Sequence, residues 1–322
     1  MSQADQNIAG GDAKSCVSTV IGRHRYAAIY TKLFLTALFW GGTFIAGRQV
    51  SQDPNLGPFG IAFLRFAMAS ILLLALTWMK EGRLPPLSKG QIVPVLLLGM
   101  TGIFAYNAMF FKGLSLIEAS RAALIVATCP AFIAVASALF LKERLTFVRA
   151  MGIPVSILGA AVVISRGDLR QVAVGGVGLG ELFILGCVLS WTAYSLIGKV
   201  VMQRLSPLTS VSYSSVAGAA ALAVPAWFEG LPGAFSRVSL LDWTSIVYLA
   251  VFGTVIGFVW FYEGVKLIGT TRAGLFINFV PISAVILAFL ILREPMTWSL
   301  AAGAALVLSG VYLTNRAPKR RL

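Results

Sequence analysis

Of the 26 lysines and arginines in this 322-residue chain, one, Arg65, stands deep inside an apolar run, Phe63-Leu64-Arg65-Phe66-Ala67. A guanidinium in hydrocarbon cannot easily reach water from such a place, so it must pair internally or face a wet cavity, as part of a polar network. Asn107 and Asn278 lie in similarly apolar surroundings. A buried amide needs a partner, and both are candidates for gripping the polar end of a solute, with hydrogen bonding between helices as the structural alternative. Aromatic residues accompany them at helical spacing. Trp40, Thr43 and Gly47 share one helix face, as do Trp191, Tyr194 and Gly198. Tyr106, Phe110, Trp260 and Phe261 add ring surface. Each Trp offers a large apolar wall with one N–H donor. The candidate solute-binding set is therefore Trp40, Thr43, Tyr106, Asn107, Phe110, Trp191, Tyr194, Trp260 and Asn278, and it suits an aromatic or bulky apolar solute.

Other chemistries lack their residues. The three cysteines, Cys16, Cys129 and Cys187, have no metal-type spacing, and the single histidine, His24, lies in a polar leader. No metal or cofactor is expected. A stretch such as Gly175 to Gly180 follows no strand, so it is a loop and not a phosphate cradle. An intramembrane enzyme would need clustered His, Asp, Ser or Cys residues at one depth, and none is visible. Proton antiport asks for an ionisable relay inside the membrane, whereas Glu118, Glu181, Glu263 and Asp242 all fall near the ends of apolar runs. Facilitated movement down a solute gradient fits better than proton coupling.

The elements that must position these residues are membrane spans. The chain is 58% hydrophobic and 12% charged, where a soluble domain carries roughly 25% charge. A spanning helix needs about 20 apolar residues, and breaks at Gly, Pro and charge clusters resolve ten, near 30–49, 58–79, 91–112, 117–141, 148–165, 178–199, 207–228, 243–264, 269–292 and 298–315. The net charge of +14 could suggest nucleic acid. Its bases, however, cluster between spans, and most fall on one side if both termini are cytoplasmic, which is the membrane-orientation bias. Residues 1–29 form a polar cytoplasmic tail without the apolar core of a signal peptide, and 316–322 form a basic cytoplasmic tail. The expected location is the cytoplasmic (inner) membrane, as a multi-pass protein.

The second half repeats the first at an offset of 151 residues: Arg121, Ala122, Leu124, Pro130, Glu143 and Thr146 return as Arg272, Ala273, Leu275, Pro281, Glu294 and Thr297. Trp40 pairs with Trp191 and Gly102 with Gly253 in the same register. The halves are 30–165 and 178–315, joined by a loop at 166–177. Five spans per half is an odd number, so the second unit enters the membrane inverted. The expected fold is an all-α membrane protein of ten transmembrane helices in two five-helix inverted repeats, an architecture that surrounds a midplane site with two gates. Pro130 and Pro281 lie mid-span, where each removes a backbone hydrogen bond, and are candidate hinges. Gly152 and Gly159, with Gly303 and Gly310, form small ridges suited to close helix packing, as scaffold or dimer surface.

The pattern Ala-Ser-Arg-Ala-Ala-Leu-Ile, Pro130 and Lys142-Glu143-Arg144-Leu145, returning as Thr-Thr-Arg-Ala-Gly-Leu-Phe, Pro281 and Arg293-Glu294-Pro295-Met296, resembles the paired EamA units of the drug/metabolite transporter superfamily. The Phe-Trp-Gly-Gly-Thr-Phe run at 39–44 and Leu-Arg-Phe at 64–66 also resemble that family's opening helices. The resemblance covers about 30–315, and within the superfamily the chain most resembles the YddG-type exporters of aromatic amino acids and related metabolites. It implies export of small metabolites by alternating access, with a small-molecule solute and the lipid bilayer as partners, no nucleic acid, and a monomer or weak homodimer. A proton-coupled multidrug or other metabolite transporter, and outside transport a membrane receptor or assembly subunit, are the competing readings.

Overall fold

The computed structural model of the chain describes residues 3–143, 145–168, 170 and 177–315, and the side chains of these from residue 26 onward except at 270 and 271. The basic tail at 316–322, Arg144 and most of the connecting loop at 166–177 lie outside the described residues, as do the side chains of the leader up to residue 25. Among the described residues every regular element is helical, and ten helices are long and apolar enough to cross a membrane. They are α1 (Tyr26–Val50), α2 (Pro58–Glu81), α3 (Lys89–Leu116), α4 (Ala119–Phe140), α5 (Phe147–Ile164), α6 (Leu179–Val201), α7 (Pro207–Phe228), α8 (Leu240–Ile268), α9 (Arg272–Ile291) and α10 (Trp298–Asn315).

The ends of these helices follow local chemistry. Pro58 and Pro207 open α2 and α7 at a position where the missing N–H costs nothing. Ser88 and Gln91 form a reciprocal capping box at the start of α3. Gly82 ends α2 with a φ of 72°, a left-handed conformation that glycine adopts without a side-chain clash.

Packing joins the halves instead of separating them. α5 lies against α10 and α2 against α7, while α1 packs on α8 and α9 just as α6 packs on α3 and α4. Each contact thus has its counterpart at the repeat offset, and five spans per half make the second unit inverted relative to the first. The α2–α7 pair is closed at both ends by carboxylates. Glu229, just past the end of α7, accepts from the Gly60 backbone N–H at 2.9 Å. Glu81, at the end of α2, accepts from Thr209 Oγ1 at 3.0 Å and from the Ser206 hydroxyl. Each carboxylate meets the positive end of the opposing helix, the favourable position for an anion. Burial pushes the Glu229 carboxyl above its usual range, while the Gly60 and Phe59 N–H groups pull it back.

The glycine ridges are consumed inside the chain. A Cβ at Gly310 would stand 2.3 Å from the Ser156 backbone nitrogen, and one at Gly159 would stand 2.5 Å from that of Val307. Two departures from expectation concern helix shape. α3 and α8 run to 28 and 29 residues, longer than the stretches 91–112 and 243–264, because each contains a widened π-helical segment. α4 and α9 are broken as well as proline-bearing: α4 divides into Ala119–Val126 and Cys129–Phe140, and α9 is interrupted at Asn278 before Phe279–Ile291. The two breaks coincide at the repeat offset.

Replacing Gly310 with Leu drives a side chain into the α5 backbone, which cannot yield as a flexible side chain would. Overpacking of this kind costs about 1–3 kcal/mol, so G310L lowers the thermal unfolding temperature of the detergent-purified protein. G233A, at a glycine with nothing within 4 Å, leaves it unchanged; equal melting of both variants contradicts the packing.

Candidate functional site

The two π-helical segments, Gly99–Ala105 in α3 and Leu249–Ile256 in α8, occupy matching places in the repeats. A π turn loosens the α-helical ladder, a feature that recurs at functional sites, and its carbonyls must find partners because hydrocarbon offers none. Here the partners come from nearby side chains. Ser190 Oγ donates to the Thr101 carbonyl at 2.8 Å, and Asn107 Nδ2 donates to those of Ile103 at 2.9 Å and Gly102 at 3.3 Å. In the other half Trp40 Nε1 donates to the Gly253 carbonyl at 3.0 Å, and Thr254 Oγ1 to that of Leu249 at 3.0 Å.

Arg65 joins the segments. Its Nη1 donates to Asn107 Oδ1 at 3.0 Å, and Nε and Nη2 each donate to Thr254 Oγ1 at 3.2 Å. Asn107 is therefore held by backbone carbonyls through its amide nitrogen and holds the guanidinium through its oxygen, which makes it a positioning group. Glycine permits the close approach on both sides. A Cβ at Gly253 would stand 2.6 Å from Thr43 Cγ2, and one at Gly102 would stand 2.2 Å from the Tyr194 ring. Thr43 and Tyr194 are themselves repeat partners, so one contact is made twice.

The rings gather on this centre unevenly. Tyr106 stacks on Phe110 with centroids 5.7 Å apart and meets Trp191 at 5.5 Å, and Trp191 stacks on Tyr194 at 5.0 Å. Trp40 packs instead on Phe258 and Phe261 at 5.7 and 5.4 Å. Its indole N–H donates to the Gly253 carbonyl, whereas that of Trp191 has no acceptor among the described residues, and the corresponding Gly102 carbonyl accepts from Asn107. Trp260 lies elsewhere, 5.8 Å from Phe39 and beneath Lys32, toward the start of α1 and the end of α8. Asn278 is half-buried at the α9 break.

The two ends of the bundle are built differently. At one, Arg121 is buried and pairs with Glu181 at 2.8 Å and Glu118 at 3.5 Å, while donating to the Ile164 carbonyl at 2.9 Å. Beside it Glu294 accepts from the backbone N–H groups of Ala119 and Ser120 at 2.7 and 3.0 Å. Glu294 lies just before α10, where a carboxylate suits the first turn of the helix that follows. It caps α4 instead, because the turn at Arg293, with a φ of 56°, directs it across the repeat interface; Thr297 alone caps α10, accepting from Leu300 N at 3.2 Å. At the opposite end Arg272 is exposed, and Glu143 pairs with Lys199 at 3.0 Å with both side chains about half exposed.

The spacing of tryptophans and the lone Arg65 pointed to this centre, but Thr254 was not singled out as a partner of Arg65, nor Glu181 as the partner of Arg121 at the bundle's end. The pairing of Gly102 with Gly253 was the available signal for the π segments. Interlocked inverted halves of ten spans around a buried polar centre are the architecture of inverted-repeat membrane transporters. The model of the EamA-like transporter family matches residues 28–165 and again 178–316, and the chain belongs to that family. It is a multi-pass protein of the cytoplasmic membrane and not an enzyme. It is 29% identical over 298 residues to the uncharacterized transporter YyaM of Bacillus subtilis, covering 92% of this chain and 97% of that protein. It is 31% identical over 290 residues to a probable terminal-alkyne amino-acid exporter of Streptantibioticus cattleyicolor, covering 88% and 92%. A crystal structure with a TM-score of 0.60 and 20% identity, spanning 92% of this chain and 99% of its own, has the same fold.

Asn107→Leu keeps the branched outline of the side chain but strips Arg65 of one acceptor and two π-segment carbonyls of their donor. A hydrogen bond to a charged group contributes about 1.5–3 kcal/mol, so N107L lowers the unfolding temperature clearly. Tyr312→Phe on the exposed face of α10 does not; equal stability of the two variants refutes the network.

Proposed function

We propose that the protein exports amino acids, aromatic and bulky apolar ones among them, by alternating access and without proton coupling. The observation that carries this reading is the aromatic group Tyr106, Phe110, Trp191 and Tyr194, set beside a polar centre that both repeats build. Rings supply area for an apolar side chain, and Arg65 with the free Trp191 N–H supplies the polar grip. That one relative of 31% identity is a probable amino-acid exporter supports the same substrate class.

The unlike ends of the bundle support alternation. Sealing at one end rests on a buried ion pair and a filled helix cap, while at the other the corresponding Arg272 and Glu143 are exposed. With both termini placed in the cytoplasm by the charge bias, the sealed end faces outward. The helix breaks before Pro130 and Pro281 are the points where α4 and α9 would bend between the two states. Absence of a carboxylate beside Arg65, among the described residues, argues for movement down the solute's own gradient.

Counterflow of labelled phenylalanine in proteoliposomes should proceed with no ion gradient imposed. Strict dependence on a pH gradient would overturn the uncoupled mechanism, and no flux of any amino acid would remove the exporter reading. Pro130→Ala and Pro281→Ala each restore a continuous helix and should slow turnover several-fold with little change in apparent affinity; unchanged rate and affinity in both rejects the hinge.

A further inference from the structure

Two arginines are buried among the described residues, Arg65 and Arg121. Arg121 meets two carboxylates. Arg65 meets none: its hydrogen-bond partners are the neutral Asn107 and Thr254. A charge withdrawn from water is costly unless an opposite charge accompanies it. Of the five N–H groups of a guanidinium, three are engaged here, which leaves two to donate.

We infer that the carboxylate of the transported solute is the counter-ion of Arg65, so that the site selects solutes joining one carboxylate to an aromatic or bulky apolar group. The inference rests on the transport reading above and narrows its substrate class. Arg65 is suited to the task because its planar fork matches a carboxylate and its orientation is already fixed, by Asn107 on one side and Thr254 on the other. Arg65 Nη2 lies beside Gly253, where a Cβ would stand 3.7 Å from it, and Thr43 closes that side, its Cγ2 2.6 Å from the same point. Asn107 donates to the Gly102 carbonyl, Gly102 lies against the Tyr194 ring, and Trp191 stacks on Tyr194 and meets Tyr106 at 5.5 Å, so these rings are placed to receive the other end of the molecule. One cation pairs with one negative charge. Among the described residues no second lysine or arginine joins this centre, so nucleotides and sugar phosphates, with two or more charges, are poorly matched. A bound carboxylate pairs with the Arg65 charge within the membrane, and a zwitterionic amino acid adds its ammonium group to that pair.

The experiment compares phenylacetate with phenylacetamide, which have nearly the same shape and differ in charge, by quenching of the intrinsic tryptophan fluorescence of the purified wild-type protein. Phenylacetate should bind about tenfold to a hundredfold more tightly, the range expected of hydrogen bonds to a charged group. R65Q should abolish that ratio, and R65K, which keeps the charge without the fork, should retain only part of it. Folding of each variant is checked by thermal unfolding. Equal affinity of the two probes for wild type overturns the inference, as does a full ratio in R65Q or, if R65Q does not fold, in R65K. Acid preference in the wild type together with failure of phenylalanine counterflow would instead remove the exporter reading and leave the carboxylate site standing.

Discussion

Hydrocarbon supplies no hydrogen bonds, and the arrangement of this molecule follows from that single condition. An unbroken α-helix meets it alone. The π-helical segments of α3 and α8 do not, and each obtains the missing partners from side chains around it. Ser190 of α6 serves α3, and Trp40 of α1 serves α8. The second of these bonds crosses from one repeat to the other, and the first does so in the opposite sense. Each widened helix thus draws one of its partners from the other half, and the duplicated units interlock where they might have stood side by side.

The same condition makes the centre asymmetric. In the first repeat Asn107 satisfies the π-segment carbonyls, and at its repeat position the second has Phe258, leaving Trp40 to do so. That one exchange frees the indole of Trp191 and gives Arg65 an acceptor on α3 to match Thr254 on α8. A strictly symmetric pair of repeats would build a scaffold with two equivalent faces. A solute with an apolar end and a polar end needs unequal ones, and substitutions at a few unpaired positions provide them.

The scaffold around the centre divides into parts that hold and parts suited to move. Backbone-to-backbone contact of α5 with α10 at Gly159 and Gly310 leaves no slack for sliding. The carboxylate-capped pair α2 and α7 is closed at both ends. α4 and α9, by contrast, are interrupted at matching places and carry at their ends the groups that differ most between the two sides, Arg121 with Glu294 against Arg272 with Glu143. Small-residue ridges that could have served a dimer are spent within the chain.

Much of this was legible in the sequence, because spans, inversion and duplication depend on residue type and spacing alone. Twenty apolar residues in a row, bases gathered between them and one ungapped offset are properties of the string. They identified ten helices, the candidate hinges and most of the central rings, Trp40, Trp191, Tyr194 and Tyr106 among them. Depth and partnership were not legible. Trp260 has the same composition of neighbours as its fellow rings but sits beneath Lys32, away from the centre, since only the packing of α8 on α1 decides its level. Glu181 read as a residue at the end of a span, and became the counter-ion of Arg121 when α6 met α4. What residue order by itself determined is the set of helices and their duplication, since solvation in lipid acts on each segment separately. What only the tertiary structure decided is which polar groups satisfy one another, above all that Arg65 finds two neutral partners and, among the described residues, no anion, because that depends on distances between helices far apart in the chain.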